Sequence, residues 1–234
     1  MRKFLTAEWR DLIMANYEVD ASLLDPHVPA GTTLDLYQGK CFVSLVGFMF
    51  IDTRVLGFLI PFHINFEEVN LRFYVRRTTE SEIRQAVTFL REIVPLPAVS
   101  LVARVAYGEP YETWNMTNTR DDGRVEYEWS KGGVENHLSV STGKDLGIPA
   151  SDSLEHFLIE HYWGYTRRSA TRTDEYLVEH PQWALSAVSD AEVSVDFGRT
   201  YGDKFSFLTG AKPDSVLFTR GSEIVVYQGK TVNS

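Results

Sequence analysis

The eight residues Glu68-Val69-Asn70-Leu71-Arg72-Phe73-Tyr74-Val75 hold the pattern richest in chemistry. In an extended strand, side chains alternate between faces, so Val69, Leu71, Phe73 and Val75 make one apolar face and Glu68, Asn70, Arg72 and Tyr74 the other. On an open sheet the polar row would be a wet surface. On the inner side of a curved sheet it would face a cavity, where a Glu and an Arg four residues apart can converge on one small ligand. The planar guanidinium of an inward Arg72 suits a carboxylate or carbonyl oxygen. Arg91 and Glu92 supply a second base and acid; being adjacent in sequence, only one of them can share that face. Either Glu68 or Glu92, if held in a dry aromatic surround, would be raised in pKa and fit for general acid or base work.

The remaining chemistry-bearing residues say less. Six histidines are present: His27, His63, His137, His156, His161 and His180. None falls in an HExxH arrangement, and His156 and His161, five apart, lie on different sides of a helix, so no metal site is expected. His156 and Glu160, at i and i+4, read as a surface pair. GxSxG, P-loop and dinucleotide-binding fingerprints are absent, so no nucleotide or other cofactor is expected.

Strand signals outnumber helix signals along the chain. Cys41–Phe50 and Val55–Ile60 are short apolar runs that read as buried strands, and Glu82–Val94 leans to strand on its Val, Thr, Phe and Ile content. Asp121-Asp122-Gly123 between two alternating runs predicts a hairpin, and Ser215–Arg220, Gly221-Ser222 and Glu223–Gln228 predict a second. Two segments read as helices. One starts at Asp152, with Glu155 completing a capping-box variant, and puts Leu154, Phe157, Leu158, His161 and Tyr162 on one stripe. The other, Ala98–Tyr107, has Val99, Val102, Ala103 and Ala106 as its stripe. Residues 198–213 read as a surface loop, and no linker or repeat divides the chain, so a single domain over residues 1–234 is expected.

Composition bounds the partners. With 23 Lys+Arg against 32 Asp+Glu the chain carries −9, which speaks against nucleic acid and gives no reason to expect an anionic membrane. Met1–Asp20 is too interrupted by charge for a signal peptide, and the most apolar stretch, Cys41–Phe62, is broken by Asp52 and Arg54. One cysteine, Cys41, fits a reducing compartment, so a cytoplasmic setting is expected. Aromatic residues are 13% of the chain, enough to wall a wide interior or to serve core and subunit contacts in a homo-oligomer.

Several segments together resemble the YqjF-like family of uncharacterised bacterial proteins. They are Thr6-Ala7-Glu8-Trp9-Arg10-Asp11-Leu12, Val28-Pro29-Ala30-Gly31, Glu67 to Arg76, Arg91-Glu92-Ile93-Val94-Pro95, Ser153 to Leu158, Tyr162 with Tyr165-Thr166, and His180-Pro181-Gln182-Trp183. That family is similar in fold to acetoacetate decarboxylase. The resemblance implies a bacterial origin and an α+β, mostly β fold: a cone-shaped, largely antiparallel β-barrel with an internal cavity and a few flanking helices. In the decarboxylase a lysine after an Arg-Glu pair and a Pro forms a Schiff base with a keto acid. Arg91-Glu92 resembles that pair, yet Ile93-Val94-Pro95-Leu96-Pro97-Ala98 follows and no lysine is near.

Two functions are therefore expected as alternatives. In the first, the chain binds a small carboxylate- or carbonyl-bearing molecule through Glu68, Asn70, Arg72, Tyr74 and Arg91, without Schiff-base chemistry. In the second, it is an enzyme with Glu68 or Glu92 as general acid or base.

Overall fold

The computed structural model describes residues 1–106, 108–121 and 123–233. Strand β1 (Lys3–Val19) is followed by β2 (Thr33–Leu34), β3 (Cys41–Val55), β4 (Phe58–Leu59), β5 (Phe66–Thr78) and β6 (Ile83–Val94). Helix α1 (Pro97–Ala106) and β7 (Tyr111–Thr113) lead to a meander of β8 (Asn115–Asp121), β9 (Arg124–Lys131) and β10 (Val134–Gly147). Helix α2 (Leu154–Ile159), β11 (Trp163–Arg167), β12 (Arg172–Glu179) and β13 (Leu185–Ser194) come next. Helix α3 (Phe197–Tyr201), β14 (Ser215–Tyr227) and β15 (Lys230–Asn233) follow.

All these strands join one sheet. Within it β12, β11, β6, β5, β3, β1 and β14 are successive neighbours, and a pairing of β12 with β14 through Val178↔Val226 and Glu179↔Val225 closes the seven into a ring. Every pair in the ring is antiparallel except β11 with β6. From β14 the sheet continues through β13, β10 and β9 to β8.

The central ring strands β3 and β5 accordingly have two buried faces over most of their length. Outside the ring, Val69, Leu71, Phe73 and Val75 of β5 pack with Tyr127, Trp129, Leu138 and Val140 of the meander. Inside, Phe48, Phe50, Phe66, Tyr74, Val87 and Val178 form a second cluster with Leu158 and Ile159 of α2. The polar row of β5 is thus interior, and the open-sheet alternative is excluded.

Long strands must bend to close such a ring. In β1, Asp11 takes φ 54° and the register with β3 shifts between Arg10 and Ile13. Paired with the preceding Arg10, Gly221 of β14 has φ 72°, and a Cβ there would land on the Trp9 carbonyl oxygen. The predicted hairpin at Gly221-Ser222 is accordingly a bend inside one strand, which pairs with β1 along its whole length from Asn16↔Ser215 to Lys3↔Tyr227. The hairpin at 121–123 forms through Asp121↔Arg124, its middle residue Asp122 lying outside the described residues.

Other expectations need correction. Val55–Ile60 is mostly turn: β3 runs on to Val55 and the two-residue β4 folds back on it. Residues 198–213 are no loose loop, because Phe197, Tyr201, Phe205 and Leu208 are driven into the outer core. Helix α2 starts at Leu154, capped by Ser153, whose Oγ accepts the His156 N–H, and it stops before His161 and Tyr162. Helix α1 spans Pro97–Ala106; the predicted end at Tyr107 lies outside the described residues. Among the described residues no helix is long and apolar enough to cross a membrane.

Candidate functional site

Strand register fixes what faces the interior of the ring. Residues directly opposite on paired strands point the same way. Asn70 pairs with Glu92, and Glu92 in turn with Tyr111, so these three stand side by side across β5, β6 and β7. Leu71 pairs with Arg91, which therefore points outward with Leu71. There Arg91 forms an ion pair with Glu112 at 3.1 Å and donates to the Thr200 carbonyl. The expected role of Arg91 at a ligand is corrected on this ground; of the Arg91-Glu92 pair, Glu92 faces in.

A cavity of about 250 Å³ occupies the interior, with Glu68, Asn70, Arg72, Glu92, Glu109, Tyr111, His161 and Tyr176 among its lining residues. Aromatic walls come from Trp9, Phe48, Phe50, Phe66, Phe89 and Trp163. Tyr74, on the same row of β5, is not part of the lining. Its hydroxyl lies between Ser44 Oγ at 2.5 Å and the Leu158 carbonyl at 3.2 Å, under α2.

Arg72 closes one end of the row. One of its terminal nitrogens donates to the Leu158 carbonyl at 2.9 Å, satisfying an acceptor in the last turn of α2. Its Nε has no partner, and among the described residues no carboxylate lies within ion-pair distance of the guanidinium, although Arg72 is only 9% exposed. Beside it, burial first and the Arg72 charge second hold His161 well below the usual histidine range, so its ring is neutral. Both His161 nitrogens are unpartnered.

Further along the same row and on the neighbouring elements stand three buried carboxyls. Glu68 accepts from Tyr111 Oη at 2.7 Å and Asn70 Nδ2 at 2.9 Å, while Glu109 accepts from Thr166 Oγ1 at 2.5 Å and from Tyr176. Glu92 meets Glu109 directly. Glu92 Oε2 and Glu109 Oε2 have no donor among the described residues, and a hydrogen bond between the two carboxyls requires a proton on one of them. Burial pushes Glu68 and Glu109 up to about 7 and Glu92 well above its ordinary value, with the charges of Glu109 and Glu68 adding to the effect on Glu92.

Sequence reasoning missed Glu109, Tyr111, Tyr176 and His161 as cavity residues. Gly108-Glu109-Pro110 reads as a turn, and only the parallel pairing of β7 with β6 brings it inward. Tyr176 is placed by Gly164, its partner across β11 and β12: a Cβ at 164 would overlap the tyrosine ring. Glu160 accepts from Tyr162 Oη and the Trp183 N–H, not from His156 as expected. Outside the cavity, Glu126, Glu128 and His137 come within 4.8 Å of one another across β9 and β10, an arrangement no sequence spacing reveals. His137 Nδ1 lies 3.3 Å from a Glu126 carboxylate oxygen, and the trio is partly exposed.

Comparison with known proteins extends this picture. The chain is 27% identical over 219 residues to the uncharacterised protein YqjF of Bacillus subtilis, covering 90% of this chain and 88% of that one. Its fold is similar to an acetoacetate decarboxylase from Legionella pneumophila, with a TM-score of 0.67 at 11% identity over 99% of this chain and 88% of the other. It is also similar to an acetoacetate decarboxylase-like enzyme from Sphingomonas wittichii RW1, with a TM-score of 0.66 at 13% identity over 100% and 95% of the two chains. The enduracididine biosynthesis enzyme MppR, solved in complex with pyruvate, aligns with a TM-score of 0.67 at 12% identity over 99% and 91%. At such identities the likeness is one of fold. The match to a family model over residues 6–223 settles the kinship by sequence: the chain belongs to the DUF2071 family of uncharacterised conserved proteins.

Proposed function

We propose that the closed ring works as a barrel around a binding site for a small molecule, whose carbonyl or carboxylate oxygen is held by Arg72. The observation that carries this reading is the buried Arg72 guanidinium, which faces the cavity with an unpartnered Nε and no carboxylate at hand. A buried cation without a counter-charge is costly, and an anionic or strongly polar ligand would relieve that cost. Neutral His161 and Asn70 Oδ1 add a free donor and free acceptors nearby. The pyruvate complex of MppR shows a small keto acid with a protein of this fold. No lysine is among the lining residues, so the reading does not include a Schiff base. A cytoplasmic setting fits the lone, buried Cys41.

Thermal-shift titration with pyruvate, acetoacetate and lactate tests it. Saturation at about 100 times Kd stabilises the folded state by about 2.7 kcal/mol, a rise of several degrees. Arg72→Ala is expected to abolish that rise. A variant that responds like the wild-type chain sinks the reading.

The contact between Glu92 and Glu109 favours a second reading, general acid–base catalysis at carbon next to a carbonyl. A carboxyl held protonated near neutral pH can donate to a carbonyl oxygen while an ionised neighbour removes a proton from carbon. Deuterium exchange into acetone or acetoacetate, followed by NMR, is expected to fall by about 10²–10⁴ in Glu68→Gln or Glu92→Gln. Exchange that survives both substitutions counts against it.

A further inference from the structure

Polarity changes steeply along the cavity. On β5 the inward residues run Arg72, Asn70, Glu68 and then Phe66, a span of about 20 Å at strand spacing. The register of β3 sets Val46 beside Asn70, Phe48 beside Glu68 and Phe50 beside Phe66, and the Phe50 and Phe66 rings stack at 4.7 Å. Beyond Glu68 these two strands present mainly apolar carbon, with the Thr53 hydroxyl of β3 a polar exception in the lining.

The cavity opens at this apolar end. Ile60 and Val102 line it and are nevertheless 42% and 50% exposed, which marks the gap between the 56–62 turn and helix α1 as its outlet. Around that gap Leu56, Phe58, Phe62, Leu101 and Val105 are also exposed, Phe62 at 92%. No acidic residue occurs from Arg54 to Asn65 or in α1, although the chain as a whole carries −9. An apolar rim continuous with an apolar channel is a feature that a soluble surface does not otherwise need.

We infer that the ligand is a single-chain amphiphile, with its carbonyl or carboxylate head at Arg72 and an unbranched hydrocarbon chain running past Phe48, Phe50 and Phe66 and out between the 56–62 turn and α1. This rests on the binding reading above and adds to it the class of ligand. A compact keto acid would fill the polar end alone and leave the aromatic channel without contacts. A chain covers the channel walls and the rim, and the absence of acidic residues at the outlet leaves an anionic head unopposed on entry.

Trp9 and Trp163 line the cavity, so their fluorescence reports occupancy. The test is titration with the straight-chain alkanoates from butanoate to dodecanoate, below their micelle-forming concentrations. Affinity is expected to tighten about fourfold per added methylene, until the chain reaches the outlet and the series flattens. Val102→Asp is expected to weaken dodecanoate at least tenfold more than it weakens butanoate. Butanoate binding that depends on Arg72 but gains nothing with chain length overturns this inference and leaves the binding reading standing. Silence across the whole series, together with no Arg72-dependent response to keto acids, overturns both. If Val102→Asp alters sedimentation and not the chain-length series, the rim is a contact between copies of this chain and the exit path is wrong.

Discussion

Among single residues, Gly164 shows how an apparently blank position can govern the site. It pairs with Tyr176 across β11 and β12, and the tyrosine ring lies over its bare backbone. From there the Tyr176 hydroxyl reaches Glu109 and helps hold one of the three buried carboxyls. Gly164→Ala puts a methyl into the space of the ring. The ring can yield only toward the cavity, and in doing so it gives up its hydrogen bond to Glu109, so an overpacked position of this kind costs about 1–3 kcal/mol. Urea unfolding is expected to show that loss, and Gly164→Ala combined with Tyr176→Leu to recover most of it. A single substitution that leaves stability unchanged contradicts the placement of Tyr176. Sequence alone gave no warning of this: a glycine in a strand signals close approach, but not what approaches.

Elements divide cleanly into those whose signal is local and those whose meaning depends on a distant partner. The alternation in residues 68–75 is enough to separate two faces of β5, because period two is a property of the strand itself. The helix after residue 152 was readable from its own apolar stripe, although the cap expected at Asp152 is supplied by Ser153. Which face is polar-inside could not be read, since that depends on the ring closing through β12 and β14, roughly 100 and 150 positions downstream. The 215–227 segment misled because Gly221-Ser222 has the composition of a hairpin turn, while the backbone there bends only to follow the kink at Asp11 in β1. Glu109 was hidden by another tertiary effect: a turn composition overridden by parallel pairing with β6. Arg91 and Glu92 illustrate the division within a single dipeptide, as alternation says that they part company and only the pairing with Leu71 and Asn70 says which one goes in.

Across the whole molecule, the titrating groups oppose one another in a way that sets a pH window for stability. Glu68, Glu92 and Glu109 have folded pKa values raised above the ordinary carboxyl value by burial. The folded chain therefore keeps protons that the unfolded chain has released, and stability falls as pH rises from the unfolded value through the folded one, above which the loss is complete. His161, held low, acts the other way: the unfolded chain binds its proton first, so stability falls as pH drops below about 6.5. Glu175, shared by Arg77, Arg84 and Lys230 on the other side of β12, is lowered despite its burial and contributes stability that is lost only in acid. Between pH 6.5 and 8 the unfolded histidine loses its proton as well, so its opposing contribution fades and the buried carboxyls dominate. Stability is expected to drop over that interval by on the order of 2 kcal/mol, read as a fall in the urea midpoint. Added salt at 0.5 M screens surface repulsion and leaves the buried contribution in place, so the fall should persist there. In Glu68→Gln/Glu92→Gln the slope is expected to flatten, because fewer buried protons remain to be released. A wild-type chain equally stable at pH 6.5 and 8 would show that the three carboxyls are ionised at neutral pH, and with them the proton shared by Glu92 and Glu109 would have to be given up.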